Sequence, residues 1–151
     1  MALKEQINND LKAALLERHR FVAETLRGLK AAILNEEVSS GKRDEGLSDA
    51  EIETIIVREV KKRNESKLLY EQNDRPELAE NEANEAAVLV AYLPQQLTED
   101  ELRVIIAEVI TQTGAEGMQA MGQVIGGVKA KAGSTGDGAT IARLVKETLQ
   151  Q

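Results

Sequence analysis

Eleven residues constrain this chain more than any other stretch: Ala91-Tyr92-Leu93-Pro94-Gln95-Gln96-Leu97-Thr98-Glu99-Asp100-Glu101. Pro94 has no amide hydrogen and pushes Leu93 out of the α region, so a helix arriving from the N-terminal side stops near Tyr92. A new helix then announces itself. Thr98 and Glu101 have capping-box spacing, in which each side chain takes up a backbone N–H of the first turn, and Leu97 and Leu102 flank them as a hydrophobic staple. A helical stop, a short joint and a helical start divide the chain into residues 1–93 and 98–151.

On both sides of the joint the apolar residues keep helical spacing. Leu3, Ile7, Leu11 and Leu15 give a first helix, and the cluster Glu17-Arg18-His19-Arg20 gives a tight break with no Gly or Pro to mark it. Val22, Leu26, Leu29 and Ile33 give a second helix that ends before Ser39-Ser40-Gly41. Ser48 and Glu51, with Leu47 and Ile52, repeat the capping construction and open a third helix over about Asp49–Gln72. Pro76 suits the first turn of a fourth. Beyond the joint, Leu102–Ile110 predict a fifth helix closed by Gly114, Met118–Val128 a sixth, and Ile141–Leu149 a seventh capped by Asp137. The expectation is an all-α fold: a four-helix N-terminal part, a proline hinge and a small three-helix C-terminal domain. With 2% aromatic residues the core is aliphatic, and no stretch alternates as a strand does. Residues 98–151 are few for an independent core.

Composition removes several chemistries. The absence of cysteine excludes disulfides, thiolate metal sites and thiol nucleophiles. No signal-peptide core opens the chain, and the longest apolar run, Ala86–Leu93, is far below a membrane span, which suggests a cytoplasmic protein without a membrane partner. His19 is the sole histidine, and no Ser/His/Asp arrangement accompanies it. The loop Gly133-Ser134-Thr135-Gly136-Asp137-Gly138 lacks a P-loop lysine and follows no strand. Glu77, Glu80 and Glu82 read as a dipole-matched helix start rather than a metal site. No catalytic residue, metal or cofactor is expected.

The net charge of −7 opposes unspecific nucleic-acid binding, and DNA is not an expected partner, but the charge is uneven. Residues 71–85 carry a local −5, whereas 58–67 and 129–146 each carry +3. Arg58, Lys61, Lys62 and Lys67 in the first basic island, and Lys129, Lys131 and Lys146 in the second, are the candidate phosphate contacts. In the third helix Ile52, Ile56, Glu59, Arg63, Ser66 and Tyr70 share one stripe that begins apolar and ends polar. It predicts a semi-buried Glu59–Arg63 pair facing a neighbouring helix, or an anion or partner site flanked by Arg58, Lys61 and Lys62. Gly122 and Gly126 each cost the sixth helix about 0.5–1 kcal/mol relative to alanine, so close approach of another helix or of a ligand backbone is expected to compensate.

Four segments resemble the YqeY-like family: Lys30-Ala31-Ala32-Ile33-Leu34-Asn35-Glu36, Arg58–Ser66, Tyr92-Leu93-Pro94-Gln95-Gln96-Leu97 and Met121-Gly122-Gln123-Val124-Ile125-Gly126. That family is similar to the C-terminal tail of GatB, a component of the glutamine-dependent tRNA amidotransferase. The likeness spans nearly the whole chain. Where the family has a Gly-Arg/Lys-Ala-Asp-Gly loop, this chain reads Gly133–Gly138 without the basic residue. The resemblance implies an all-α protein that contacts tRNA and works beside a protein of tRNA amidation or translation. It does not imply catalysis: carbon–nitrogen ligase activity with glutamine as amide donor belongs to parts of the amidotransferase outside the tail. A helical protein–protein adaptor with no RNA role is the alternative.

Overall fold

The computed structural model describes residues 2–151, and all of their regular structure is helical. The chain separates into two compact units, one ending at Leu93 and the other spanning Pro94–Gln151.

The first unit holds α1 (Leu3–Leu16), α2 (Arg20–Ser39), α3 (Asp49–Gln72) and α4 (Pro76–Val90). Leu3, Ile7, Leu29, Ile33, Ile52, Ile55, Ile56 and Leu89 form its main core, and Leu11, Ala14, Ala23 and Leu26 extend it. Polar contacts fasten the start of α1. The Leu3 N–H, which has no partner inside the helix, donates to Asp49 Oδ1 at 2.9 Å, and Lys4 Nζ meets the buried Glu37 carboxylate at 2.9 Å. The break after α1 is made by Arg18, which takes a left-handed φ of 60°. α3 opens on the full capping box of Ser48 and Glu51, with Leu47 against the same core as Ile52. No residue of α3 after Glu59 is buried.

The second unit holds α5 (Glu99–Thr113), α6 (Met121–Ala132) and α7 (Gly138–Leu149) around Leu102, Ile106, Val109, Val124, Val128, Ile141, Leu144 and Val145. α5 starts at Thr98, whose hydroxyl accepts from the Glu101 N–H, but the reciprocal bond of a complete box is not made. It ends on Gly114 in the left-handed region. Met118–Ala120 form a 3₁₀ turn rather than the start of the sixth helix, and Gly133–Thr135 form another. Leu97 N–H donates to Thr135 O at 2.8 Å and Gln96 Nε2 to Ser134 O at 2.9 Å. On the other side Leu93 packs in the first core, and Tyr92 Oη donates to Asp10 Oδ2 at 2.6 Å. Pro94 and Gln95 are therefore the joint itself.

Candidate functional site

Glu59 and Arg63 of the α3 stripe are held between helices. Arg63 and Glu59 side chains are 15% and 11% exposed. Arg63 Nη1 donates to Glu59 Oε1 at 3.2 Å and to the Glu59 carbonyl at 3.1 Å. Arg63 Nε lies 3.3 Å from Glu85 Oε2 on α4, but the buried N–H is not aimed at it, so this contact is Coulombic. Arg63 Nη2 also comes within 4.0 Å of where a side chain at Gly28 of α2 would begin. One guanidinium thus meets three helices. Lys62 reaches Glu59 Oε2 at 3.1 Å. Burial pushes the Glu59 carboxyl up, but hydrogen bonds from Lys62 and Arg63 outweigh it and hold the group below the usual carboxylate range. Glu82 goes the other way: burial and the neighbouring Glu85 raise it against the pull of Arg63. Ser66 and Tyr70 continue the stripe, half-buried, and their hydroxyls form no hydrogen bond among the described residues. Glu82 and Glu85 escape a reading of α3 alone, although they share the α4 face that carries Ala86 and Leu89.

Within neither unit do all the candidate phosphate contacts share one face. Arg58 lies 4.0 Å from Glu36, Lys62 is taken by Glu59, Lys67 approaches Glu71 at 3.9 Å, and Lys131 approaches Glu108 at 3.5 Å. At 100° per residue Lys67 stands across α3 from Arg58, Lys61 and Lys62, and Lys131 stands across α6 from Lys129. Lys61, Lys129 and Lys146 have no acidic partner among the described residues. Arg143, inside the second island, is engaged by Glu99 and Glu147.

The glycines of α6 require a correction. A Cβ at Gly122 or Gly126 would meet nothing within 4 Å, so no neighbouring helix explains either residue. They lie on the exposed side of α6 with Lys129 and Gly133, opposite Val124 and Val128. The glycine that packing does require is Gly127, where a Cβ would stand 2.8 Å from Val109 Cγ1 on α5. Lys129 reaches the start of α7: its Nζ is 3.7 Å from the Cβ position of Gly138, next to Asp137, whose carboxylate accepts from the Thr140 N–H and hydroxyl.

Among the described residues no group of three or more His, Cys, Asp or Glu side chains could hold a metal ion, and no helix is long and apolar enough to cross a membrane. The glycine face of α6 is exposed, and exposed apolar side chains include Leu68 and Leu69 on the distal hairpin, 56% and 59% exposed. The fold defines a two-unit, all-helical protein. A family model described as Yqey-like protein matches residues 4–149, so the chain belongs to the YqeY-like family. It is similar to two yeast proteins named altered inheritance of mitochondria protein 41, mitochondrial. The Kluyveromyces lactis protein is 30% identical over 86 residues, 57% of this chain and 45% of its own length. The Clavispora lusitaniae protein is 28% identical over 92 residues, 61% of this chain and 52% of its own. The chain spans about half the length of these relatives.

Proposed function

We propose that the protein is a non-catalytic accessory factor that contacts tRNA through its C-terminal unit, in association with tRNA-dependent amidation or translation. The observation that carries this reading is the exposed face of α6. Gly122 and Gly126 cost helix stability and have no packing neighbour. What a bare backbone face provides is close approach, and Lys129 supplies a cation on the same face. The resemblance to the amidotransferase tail supplies the class of ligand. A cytoplasmic location is part of the reading; the names of the relatives place those proteins in mitochondria.

Titrating labelled tRNA at two salt concentrations tests it. Lys129 and Lys146 allow one or two phosphate contacts, for a slope of log K against log salt of roughly −0.7 to −1.8. Gly126→Leu fills the exposed face without touching the core and should abolish binding with the melt intact. Binding that ignores both salt and Gly126→Leu rejects the reading. Leu68 and Leu69 favour a second one, a helical protein adaptor, because they are exposed on the outer side of α3. That reading requires a protein captured by wild type and lost with a Leu68→Glu/Leu69→Glu double variant, with no RNA dependence.

A further inference from the structure

The α1–α2 corner carries a feature that neither basic island anticipates. The end of α1 and the first turns of α2 enclose a cleft of about 400 Å³ lined by Arg18, Arg20 and Arg27, with Ala14 and Ala23 among its apolar walls and Glu24 as its one acid. Arg18 and Arg27 have no acidic partner among the described residues; Arg20 Nε meets Glu24 Oε1 at 3.0 Å. The cleft lies at the N-terminus of α2, a 20-residue helix with no side-chain cap and no acid in its first turn. Its positive end therefore adds to the arginines. The carbonyls of Ala13, Ala14 and Leu15 at the end of α1 are already taken by the N–H groups of Glu17, His19 and Arg18. Arg18 and Arg27 are the charged side chains lining this cleft that no carboxylate engages among the described residues.

Arg18 sharpens the case. Its φ of 60° is a conformation in which glycine would be more stable than any residue with a Cβ. An arginine there gives up stability and presents a guanidinium. Such strain is a starting point for a functional hypothesis when other groups converge on the same place, as they do here.

We propose that this cleft binds a phosphomonoester. Guanidinium forks match the oxygens of a phosphoryl group with paired hydrogen bonds. Three arginines against Glu24 leave a site charge of about +2, which balances a phosphate monoester of about −1.5 to −2 at neutral pH rather than an internal phosphodiester of about −1. The same chemistry is offered by inorganic phosphate, by a free nucleoside monophosphate and by the 5′-phosphate of an RNA. The proposal is independent of the RNA reading, since a free monoester satisfies it.

The test is an NMR titration of the full-length ¹⁵N-labelled protein at pH 7.5 and low salt. The probes are inorganic phosphate, a nucleoside 5′-monophosphate, and a short RNA with either a 5′-phosphate or a 5′-hydroxyl. Saturable shifts at Arg18, Arg20 and Arg27 are expected for the first two probes and for the 5′-phosphorylated RNA, with the 5′-hydroxyl RNA at least fivefold weaker. Arg18→Gly suits the backbone at this position, so its melt should equal or exceed that of wild type while affinity falls about tenfold or more. Arg27→Gln should fall similarly, Glu24→Gln should bind more tightly, and Lys61→Gln should be unchanged. Equal affinity for inorganic phosphate in wild type and Arg18→Gly, shifts at Arg18, Arg20 and Arg27 that saturate equally with both RNA ends, or no saturable shift at these residues with any monoester overturns the proposal.

Discussion

Arg63→Ala gives the sharpest test of how the first unit is held together. The substitution removes a side chain 15% exposed, two hydrogen bonds to Glu59 and the Coulombic partner of Glu85. Glu59 keeps Lys62, so the full 3–5 kcal/mol of breaking an isolated buried pair does not apply. The loss should instead be about 1–3 kcal/mol, the cost of leaving partly buried acceptors unsatisfied. The sign of its pH dependence follows from the two carboxyls. Glu59 has a depressed folded pKa, so its contribution is present above the ordinary glutamate value, about 4.3, and is lost as pH falls through the folded value. Glu82 is already raised, and Arg63 is what restrains it, so removing Arg63 raises it further and penalises its ionised form. Both effects make the deficit largest near pH 7 and smaller toward pH 4. Urea denaturation of wild type and variant at both pH values measures this, and a double-mutant cycle with Glu85→Gln isolates the cross-helix contact. A variant within 0.5 kcal/mol of wild type at pH 7, or a deficit that does not shrink on acidification, would refute the reasoning.

Three further outcomes follow from the same geometry. Gly127→Ala should destabilise the second unit by about 1–3 kcal/mol because its methyl meets Val109, whereas Gly122→Ala and Gly126→Ala should stabilise it by about 0.5–1 kcal/mol each; thermal melts of the three variants compare them directly. Ser48→Ala removes the cap of α3 and should cost about 1 kcal/mol by chemical denaturation, with the helix fraying first at Asp49–Glu51 in hydrogen exchange. Tyr92→Phe deletes the bond to Asp10 and should cost about 0.5–1 kcal/mol; in wild type the Tyr92 phenol, raised by burial and by Asp10, should resist ionisation in an alkaline spectrophotometric titration.

The helix map was legible from the residues alone because it rests on local chemistry. Ser48 and Thr98 mark helix starts, Pro94 and Gly114 mark stops, and the periodicity from Ile52 to Tyr70 gives the inward face of α3, because each effect acts within a turn or two of chain. Arg18 shows the limit of that locality: the break at Glu17–Arg20 could be placed, but nothing in the spelling required a left-handed arginine. The basic islands show a deeper limit. Summing charges along 58–67 finds +3. It does not reveal that Glu36, from another helix, faces Arg58, or that Lys62 and Arg63 are committed to Glu59.

What the tertiary structure alone decided is which groups are spent and which are free. Gly122 and Gly127 are equivalent in sequence, yet packing against α5 needs one and leaves the other bare, because 100° per residue turns them to different sides of α6. Arg18, Arg20 and Arg27 look like scattered surface charge until the reversal between α1 and α2 brings them to one cleft. Sequence therefore determined the helices, their ends and their buried faces, since hydrophobic spacing and capping act over a few residues. Folding determined the charge that each surface shows, since a guanidinium is neutralised by whatever carboxylate the chain brings within 4 Å, however far away it lies in sequence.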